Sequence, residues 1–233
     1  MKTPQFQRLQ GASLGFLAGY VDTFGFIALF GLFTAHVTGN FVLIAVSLAD
    51  TRQTPSLLKL LAFPAFILGV AAARLLVARC ERRGTGATRP VYSLQLVLLL
   101  GFMGCGILAE PVGKSAGALA MAAGLLGAAA MGAHSAAGKL LLTHLAPTSM
   151  MTGNVTQLTI DAVDWLRGAA DATVRTRCAK FFWTILAFAA GCCLAAFAYL
   201  AVGFMALIAP VAILCLHLWL PEPEAATAAQ KAA

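Results

Sequence analysis

The sequence contains a Thr-Gly-Asn motif twice, and each copy opens a short apolar segment, residues 41–49 and 155–163. Threonine suits the position before a helix, glycine permits a sharp turn, and asparagine offers both a donor and an acceptor. A helix that begins at the motif has unpaired backbone N–H groups in its first turn. They carry about half a positive charge and face the groups next to that end of the helix. The motifs are therefore candidate substrate-binding elements: Thr38, Gly39, Asn40, Thr152, Gly153 and Asn154.

Asp22 lies inside the first long apolar run. Carboxylates within membrane spans are costly and usually functional. Asp22 could be a proton or cation site, or it could accept hydrogen bonds from the backbone of the first short segment as a structural brace. His36, two residues before Thr38, could titrate near neutral pH, and we interpret it as a solvated side chain.

The second half carries its own polar residues. His134 and Ser135 lie deep in an apolar run and are candidate lining residues, whereas Lys139 is expected to extend to the cytoplasmic surface. Gln157 and Asp161 are four residues apart on the second short segment, so they share a helix face. We include Gln157 among the candidate binding residues.

Composition places the chain in a membrane. Of its 233 residues, 60% are hydrophobic and 11% are charged, where soluble domains have about 25% charged residues. The mean hydropathy is +0.85, which indicates an integral membrane protein with the lipid bilayer as its surroundings. The net charge of +7 comes from basic residues in the gaps between apolar runs. This is the pattern of cytoplasmic loops, so we do not expect nucleic-acid binding.

The sequence gives no support for an enzyme. The six cysteines form no C-x-x-C pair and lie mostly in apolar runs, where cysteine behaves as a small hydrophobic residue. A nucleophile–base set, metal-ligand spacing, phosphate loop and dinucleotide-binding signature are all missing. We therefore predict no catalytic residues, no metal and no cofactor.

Hydropathy predicts six membrane spans and two shorter segments. The spans are 11–33, 57–79, 91–109, 116–142 and two within 181–220, the last two joined near Gly203. The short segments are 36–49 and 150–163, and a long polar loop is expected at 164–180. A short segment reaches about 21 Å as a helix, less than the ~30 Å hydrocarbon core.

The two halves follow the same order of segments. Asn40 aligns with Asn154 and Asp50 with Asp164 at the same offset. Alanine-rich helices can align by chance, but the shared motif, aspartate and order favour duplication. The predicted division is a first repeat at 1–115, a second at 116–220 and a disordered tail at 221–233.

Two topologies are compatible with this plan. If the short segments cross the membrane, there are eight spans and parallel repeats. If they enter and return, there are six spans and the second repeat is inverted. The six-span arrangement places thirteen of the sixteen Lys and Arg residues on the cytoplasmic side, against ten for eight spans. We therefore predict an all-α polytopic membrane protein with two inverted repeats, six transmembrane spans and two Thr-Gly-Asn half-helices.

The chain resembles the YoaK-like family of uncharacterised bacterial membrane proteins. The resemblance is carried by residues 19–22, 33–40 and 151–154 and extends over nearly the whole chain. Where the family tends to have a Gln-Asn pair, this chain has His134-Ser135. The resemblance implies a multi-pass protein of the bacterial inner membrane, without an assigned activity and often suspected of transport.

Half-helices that start inside a membrane are tolerated where protein or a water-filled cavity satisfies their backbone. Inverted repeats let two such N-termini meet at the substrate, as many transporters do. We predict a small-solute transporter or channel with a central site between the half-helices, in a chain that could form homo-oligomers. The alternative is a non-transporting structural or signalling membrane protein.

Overall fold

The computed structural model describes residues 4–49, 57–113, 116–169 and 171–220, and within these ranges it contains helices and no strand. This confirms the predicted all-α class. The expected disordered tail and the turn at Asp50 lie outside the described residues. The helices are α1 Pro4–Ala28, α2 Gly39–Ala49, α3 Leu57–Arg83, α4 Thr88–Ala109, α5 Ala118–Leu140, α6 Met151–Leu166, α7 Ala172–Val202, a 3₁₀-helix Gly203–Leu207 and α8 Ile208–Trp219.

In the described part of the chain, five helical stretches are long and apolar enough to cross a membrane. Four of them are α1, α3, α4 and α5. The fifth, Thr173–Trp219, has 47 residues and includes both α7 and α8. Its helix is interrupted at Gly203, where φ is +57°. The interruption lies where the sequence predicted two spans to join.

Glycines bring two pairs of helices into backbone contact. Gly19 and Gly191 lie where α1 crosses α7, and Gly69 and Gly132 lie where α3 crosses α5. At each of the four, an added Cβ would run into a backbone carbonyl of the facing helix. Small residues at such crossings are the usual means of close packing between membrane helices. The two crossings are therefore built in the same way.

Contacts along the helices define their directions. Gly15 lies against Thr184 and Gly19 lies against Phe188, so α1 and α7 run in the same direction. Helix α8 runs the opposite way, since Ser13 Oγ meets His217 Nε2 at 2.8 Å while the Tyr20 hydroxyl donates to the carbonyl of Ala206, also at 2.8 Å. The chain therefore reverses between α7 and α8.

Helices α4 and α8 are antiparallel as well. Tyr92, near the start of α4, packs against His217, near the end of α8, with ring centroids 5.8 Å apart. At the other end of α4, the Glu110 carboxylate accepts a hydrogen bond from the backbone N–H of Phe204 at 2.8 Å.

Phe24 lies at the centre of an aromatic core. Its ring packs edge-on against the rings of Phe102, Tyr199 and Phe204, with centroids 5.9, 5.3 and 5.4 Å apart. The rings belong to α1, α4, α7 and the 3₁₀-helix, so this cluster joins both halves of the chain. Edge-to-face pairs add to the stability that burial of the rings provides.

Two boundaries differ from the prediction. Helix α1 ends at Ala28 and not near residue 33, because Phe30 and Gly31 adopt positive φ angles of 55° and 72° and turn the chain. The predicted polar loop at 164–180 is much shorter, because α6 continues to Leu166 and α7 already begins at Ala172. The Asp171 carboxylate accepts a hydrogen bond from the N–H of Val174 and caps α7.

Candidate functional site

The first motif closes a loop between α1 and α2. The Asn40 amide nitrogen donates to the carbonyl of Phe33 at 2.8 Å, and its amide oxygen accepts from the N–H of Phe33 at 3.0 Å. Asn40 is only 1% exposed. Gly39 lies close to the Phe33 ring, which leaves little space for a larger residue. Asn40 therefore holds its own loop with both ends of its amide.

The second motif closes the equivalent loop between α5 and α6. The Asn154 amide nitrogen donates to the carbonyl of Pro147 at 2.5 Å, again to the residue seven positions earlier. Asn154 is also 1% exposed. Proline has no backbone N–H, so the second hydrogen bond that Asn40 accepts has no counterpart at Pro147.

The other motif residues contact little. Thr38, Thr152 and Gly153 are exposed, and a Cβ added at Gly153 would meet nothing within 4 Å. Thr38 directly precedes α2, as expected for the residue before a helix. Thr152 does not, because α6 begins at Met151, so the predicted capping role is wrong for the second copy.

The structure does not bring the two motifs together. Helix α2 packs on α3 and helix α6 packs on α7, and across the described residues α2 and α6 make no contact with each other. Both asparagine amides are engaged by their own loops. The expectation of one central site touched by Asn40 and Asn154 is therefore not met by this structure.

Asp22 braces the loop of the first motif. Its Oδ1 accepts from the N–H of Ala35 at 2.6 Å and from the N–H of His36 at 3.2 Å, and its Oδ2 lies 2.6 Å from His36 Nδ1. Asp22 is 4% exposed. Of the two roles open from the sequence, these contacts favour the brace. The interpretation of His36 as merely solvated is wrong, because its ring is bound to the carboxylate.

His134 is buried and does not line an open space. Its Nε2 lies 2.8 Å from the Thr148 hydroxyl, and its Nδ1 lies 3.2 Å from the Gln95 amide nitrogen. Its exposed fraction is 2%. The predicted lining role does not fit these contacts. The sequence interpretation missed Gln95, although an amide inside the apolar run 91–109 is a signal of a buried polar partner.

A cavity of about 390 Å³ lies beside the second motif. Ser135 lines it, and its hydroxyl is 3.2 Å from that of Ser149. Lys139, expected at the cytoplasmic surface, lines it too, as does Lys180 of α7. Lys180 was missed because nothing in its spacing along the sequence relates it to Ser135. The cavity is positively charged and rich in hydroxyl groups.

Gln157 and Asp161 do share a face, as predicted, and their side chains are hydrogen-bonded at 2.8 Å. The Arg177 guanidinium donates to both Asp161 oxygens, at 2.7 and 2.6 Å, and so joins α6 to α7. These hydrogen bonds, with that of Arg177 the strongest, lower the pKa of Asp161 below its usual value. Gln157 therefore belongs to the ion-pair cluster of Asp161 and Arg177.

Helical stretches of this length and hydropathy define a multi-pass helical membrane protein. The chain belongs to the family described as "Protein of unknown function (DUF1275)", whose family model matches residues 10–220. It is also similar to the UPF0700 transmembrane protein YoaK of Bacillus subtilis (strain 168), with 39% identity over 64 residues, which cover 28% of this chain and 28% of that protein. The resemblance drawn from the motifs is confirmed. No solved structure matches the chain.

Proposed function

We propose that the chain is a small-solute transporter of the bacterial inner membrane without enzymatic activity. The observation that carries this proposal is the matched pair of interruptions: each asparagine closes a non-helical loop on the residue seven positions before it. Irregular backbone at membrane depth is tolerated where it is buried in protein or lines a cavity, and paired interruptions are typical of transporters.

Helix packing supports six spans with inverted halves. The crossing of α1 with α7 and that of α5 with α3 use glycines in the same way, which fits a duplication. The antiparallel contact of α4 with α8 requires an odd number of crossings from α5 to α8. Three crossings fit if α6 enters and returns, whereas eight spans would make α4 and α8 parallel.

The solute path that we propose has a motif near each end. This replaces the single central site, because α2 and α6 do not touch. The cavity beside the second motif is one end of the path, and the aromatic core around Phe24 closes the molecule in this conformation. Passage then requires a second conformation, as in alternating access, and this favours a carrier over an open channel.

The alternative is a structural or signalling membrane protein that moves no solute. The contacts that favour it are those of Asn40, Asn154 and Asp22, whose polar groups bind their own loops. If those contacts serve only packing, the cavity does not lead into a solute path.

Flux measurements on reconstituted protein separate the two candidates. Proteoliposomes are incubated in turn with external radiolabelled sugars, amino acids, monocarboxylates and inorganic anions, with protein-free liposomes as the baseline. We expect protein-dependent uptake of one class, abolished by Ser149→Phe, which fills the cavity. Gly104→Phe is the matched control, since that position in α4 faces open space and lies outside both the motifs and the cavity. Folded protein that moves no probe would leave the structural or signalling role.

A further inference from the structure

In the loop of the first motif, backbone N–H groups donate hydrogen bonds to a carboxylate of the same chain, that of Asp22. Asp22 Oδ1 accepts the N–H groups of Ala35 and His36, at 2.6 and 3.2 Å. The Thr34 hydroxyl donates to the carbonyl of Val21 at 3.2 Å and lies 3.5 Å from the same Oδ1. This loop therefore offers a ready-made arrangement of donors for one carboxylate group.

The loop between α5 and α6 is placed in a similar way, but a different residue occupies the position of Asp22. Asp22 follows the crossing glycine Gly19 by three residues, and Ser135 follows the crossing glycine Gly132 by three. In the loops, the Thr34 hydroxyl donates to the backbone carbonyl of Val21, the residue before Asp22, whereas the Thr148 hydroxyl is hydrogen-bonded to the imidazole of His134, the residue before Ser135. Ser135 thus stands where the first half has its carboxylate.

The space that a carboxylate fills in the first half is open in the second. The serine side chain is shorter and uncharged, and the cavity of about 390 Å³ begins beside it. The hydroxyls of Ser135 and Ser149, 3.2 Å apart, both line this cavity. Small organic ligands occupy pockets of about this size in other proteins.

The charge of the cavity suits an anion. Lys139 and Lys180 both line it, and none of the described lining residues is an aspartate or glutamate. Lys180 already donates to the carbonyl of His144 at 3.3 Å, which keeps its ammonium group at the wall. An ammonium group has three donors, so others remain for a ligand.

Apolar side chains and two threonines complete the walls. Leu145 and Phe181 line the same cavity as the two lysines and the serines. A hydrated inorganic anion gains little from such walls, whereas an organic acid can bury its carbon chain against them. The combination of charge, hydroxyls and apolar surface selects for a small organic anion.

We propose that this cavity binds the carboxylate group of a small organic acid, which takes the position that Asp22 holds in the first half. The carboxylate accepts hydrogen bonds from Ser135 and Ser149 and pairs with Lys139 and Lys180. The inference rests on the proposed function in one respect only: it names the substrate class of that transporter.

Calorimetric titration of the full chain in nanodiscs tests the binding. The probes are propionate and benzoate, with propionamide as the uncharged counterpart and chloride as the inorganic anion. We expect both acids to bind and neither propionamide nor chloride to compete. Lys139→Gln and Lys180→Gln each weaken binding roughly tenfold, as expected for loss of a charge-assisted contact. Arg83→Gln removes an equal charge from an exposed site and leaves binding unchanged. Equal binding of propionamide or of chloride overturns the proposal.

A substitution at Ser135 tests the equivalence with Asp22 directly. Ser135→Asp places a carboxylate in the cavity from within the chain, so it should raise the melting temperature of the ligand-free protein and abolish propionate binding. Ser135→Asn fills the same space without the charge, so it should also exclude propionate but should not raise the melting temperature. Ser135→Ala removes one hydroxyl and leaves the space open, and we expect it to weaken propionate binding by no more than roughly tenfold. Propionate binding that survives Ser135→Asp, or is abolished by Ser135→Ala as completely as by Ser135→Asp, contradicts the proposed position.

Binding and transport can fail separately. Propionate that binds but is not moved in proteoliposomes leaves the site intact and removes the transporter. Flux of another solute class, with no propionate or benzoate binding, leaves the transporter and removes the organic acid as its substrate.

Discussion

Asp22 holds His36 in two places at once: its Oδ2 lies 2.6 Å from the ring Nδ1, and its Oδ1 accepts from the backbone N–H of the same residue at 3.2 Å. The carboxylate therefore fixes both the side chain and the main chain of the loop that leads into α2. The charge of this buried carboxylate therefore helps to determine the backbone conformation of the loop.

Replacement of Asp22 should first affect folding. We expect Asp22→Asn to lower the free energy of unfolding by about 2–4 kcal/mol, because an amide oxygen replaces a charged acceptor and the amide NH₂ faces backbone donors. Thermal unfolding of the detergent-solubilised protein measures this. Glu81→Gln, which changes an exposed carboxylate paired with Arg74, is the control and should shift stability by less than about 0.5 kcal/mol. An unchanged melting temperature in Asp22→Asn with loss of pH-dependent flux would instead assign Asp22 to proton coupling.

The two motif asparagines should contribute unequally and independently. Asn40 makes two hydrogen bonds to Phe33, whereas Asn154 makes one to Pro147. We expect losses of about 2 kcal/mol for Asn40→Ala and about 1 kcal/mol for Asn154→Ala. Because α2 and α6 are not in contact, the double variant should equal the sum within about 0.5 kcal/mol. A large coupling energy between the two substitutions would instead support one shared site. Thr152→Ala, at an exposed position, is the neutral control.

The helix crossings should not tolerate a methyl group. Gly69→Ala and Gly191→Ala each place a Cβ against a carbonyl of the facing helix, so the helices must move apart. We expect each to destabilise the protein by about 1–3 kcal/mol. Gly104→Ala in α4 is the matched control, since nothing lies within 4 Å of its Cβ position and alanine favours a helix. Similar melting temperatures for all three variants would mean that the crossings are looser than the structure shows.

The α6–α7 pair should weaken in acid. The pKa of Asp161 is lowered in the folded protein, so its contribution to stability is complete above the unfolded-state pKa of about 4. It declines as the pH falls through the lower folded-state pKa. Melting temperatures between about pH 3 and 7 should therefore fall less steeply for Asp161→Asn than for the wild-type chain. Equal slopes would show that the Arg177 contact does not depend on the charge of Asp161.

Labelling of single cysteines tests the membrane topology. In a background without the six native cysteines, Thr85→Cys should react with an impermeant maleimide only from the cytoplasmic side, and Gly113→Cys only from the outside. Both residues are exposed and lie in loops on opposite ends of α4. The reversed result would indicate eight spans, and reaction of both from one side would contradict a crossing by α4.

The sequence determined the class of protein and the existence of paired motifs. Long apolar runs can satisfy their backbone in a bilayer only as helices, so composition and run length were enough for the all-α class. The Thr-Gly-Asn repeats marked both loops correctly, since glycine and asparagine favour breaks in a helix by their own conformational preferences. The end of α1 was not predicted correctly, because the turn at Phe30-Gly31 depends on backbone angles that the residue types alone do not specify.

Only the tertiary structure decided which polar groups meet. Sequence order could not show that Asp22 binds the backbone of residues 35 and 36, or that His134 is buried against Gln95. Nor could it place Lys180 of α7 beside Ser135 of α5. These contacts join residues far apart in the chain, and their partners are set by how the helices cross. Close approach at glycines fixes those crossings. The crossings in turn decide that the Asp22 carboxylate has hydrogen-bond partners and that the equivalent position at Ser135 is open.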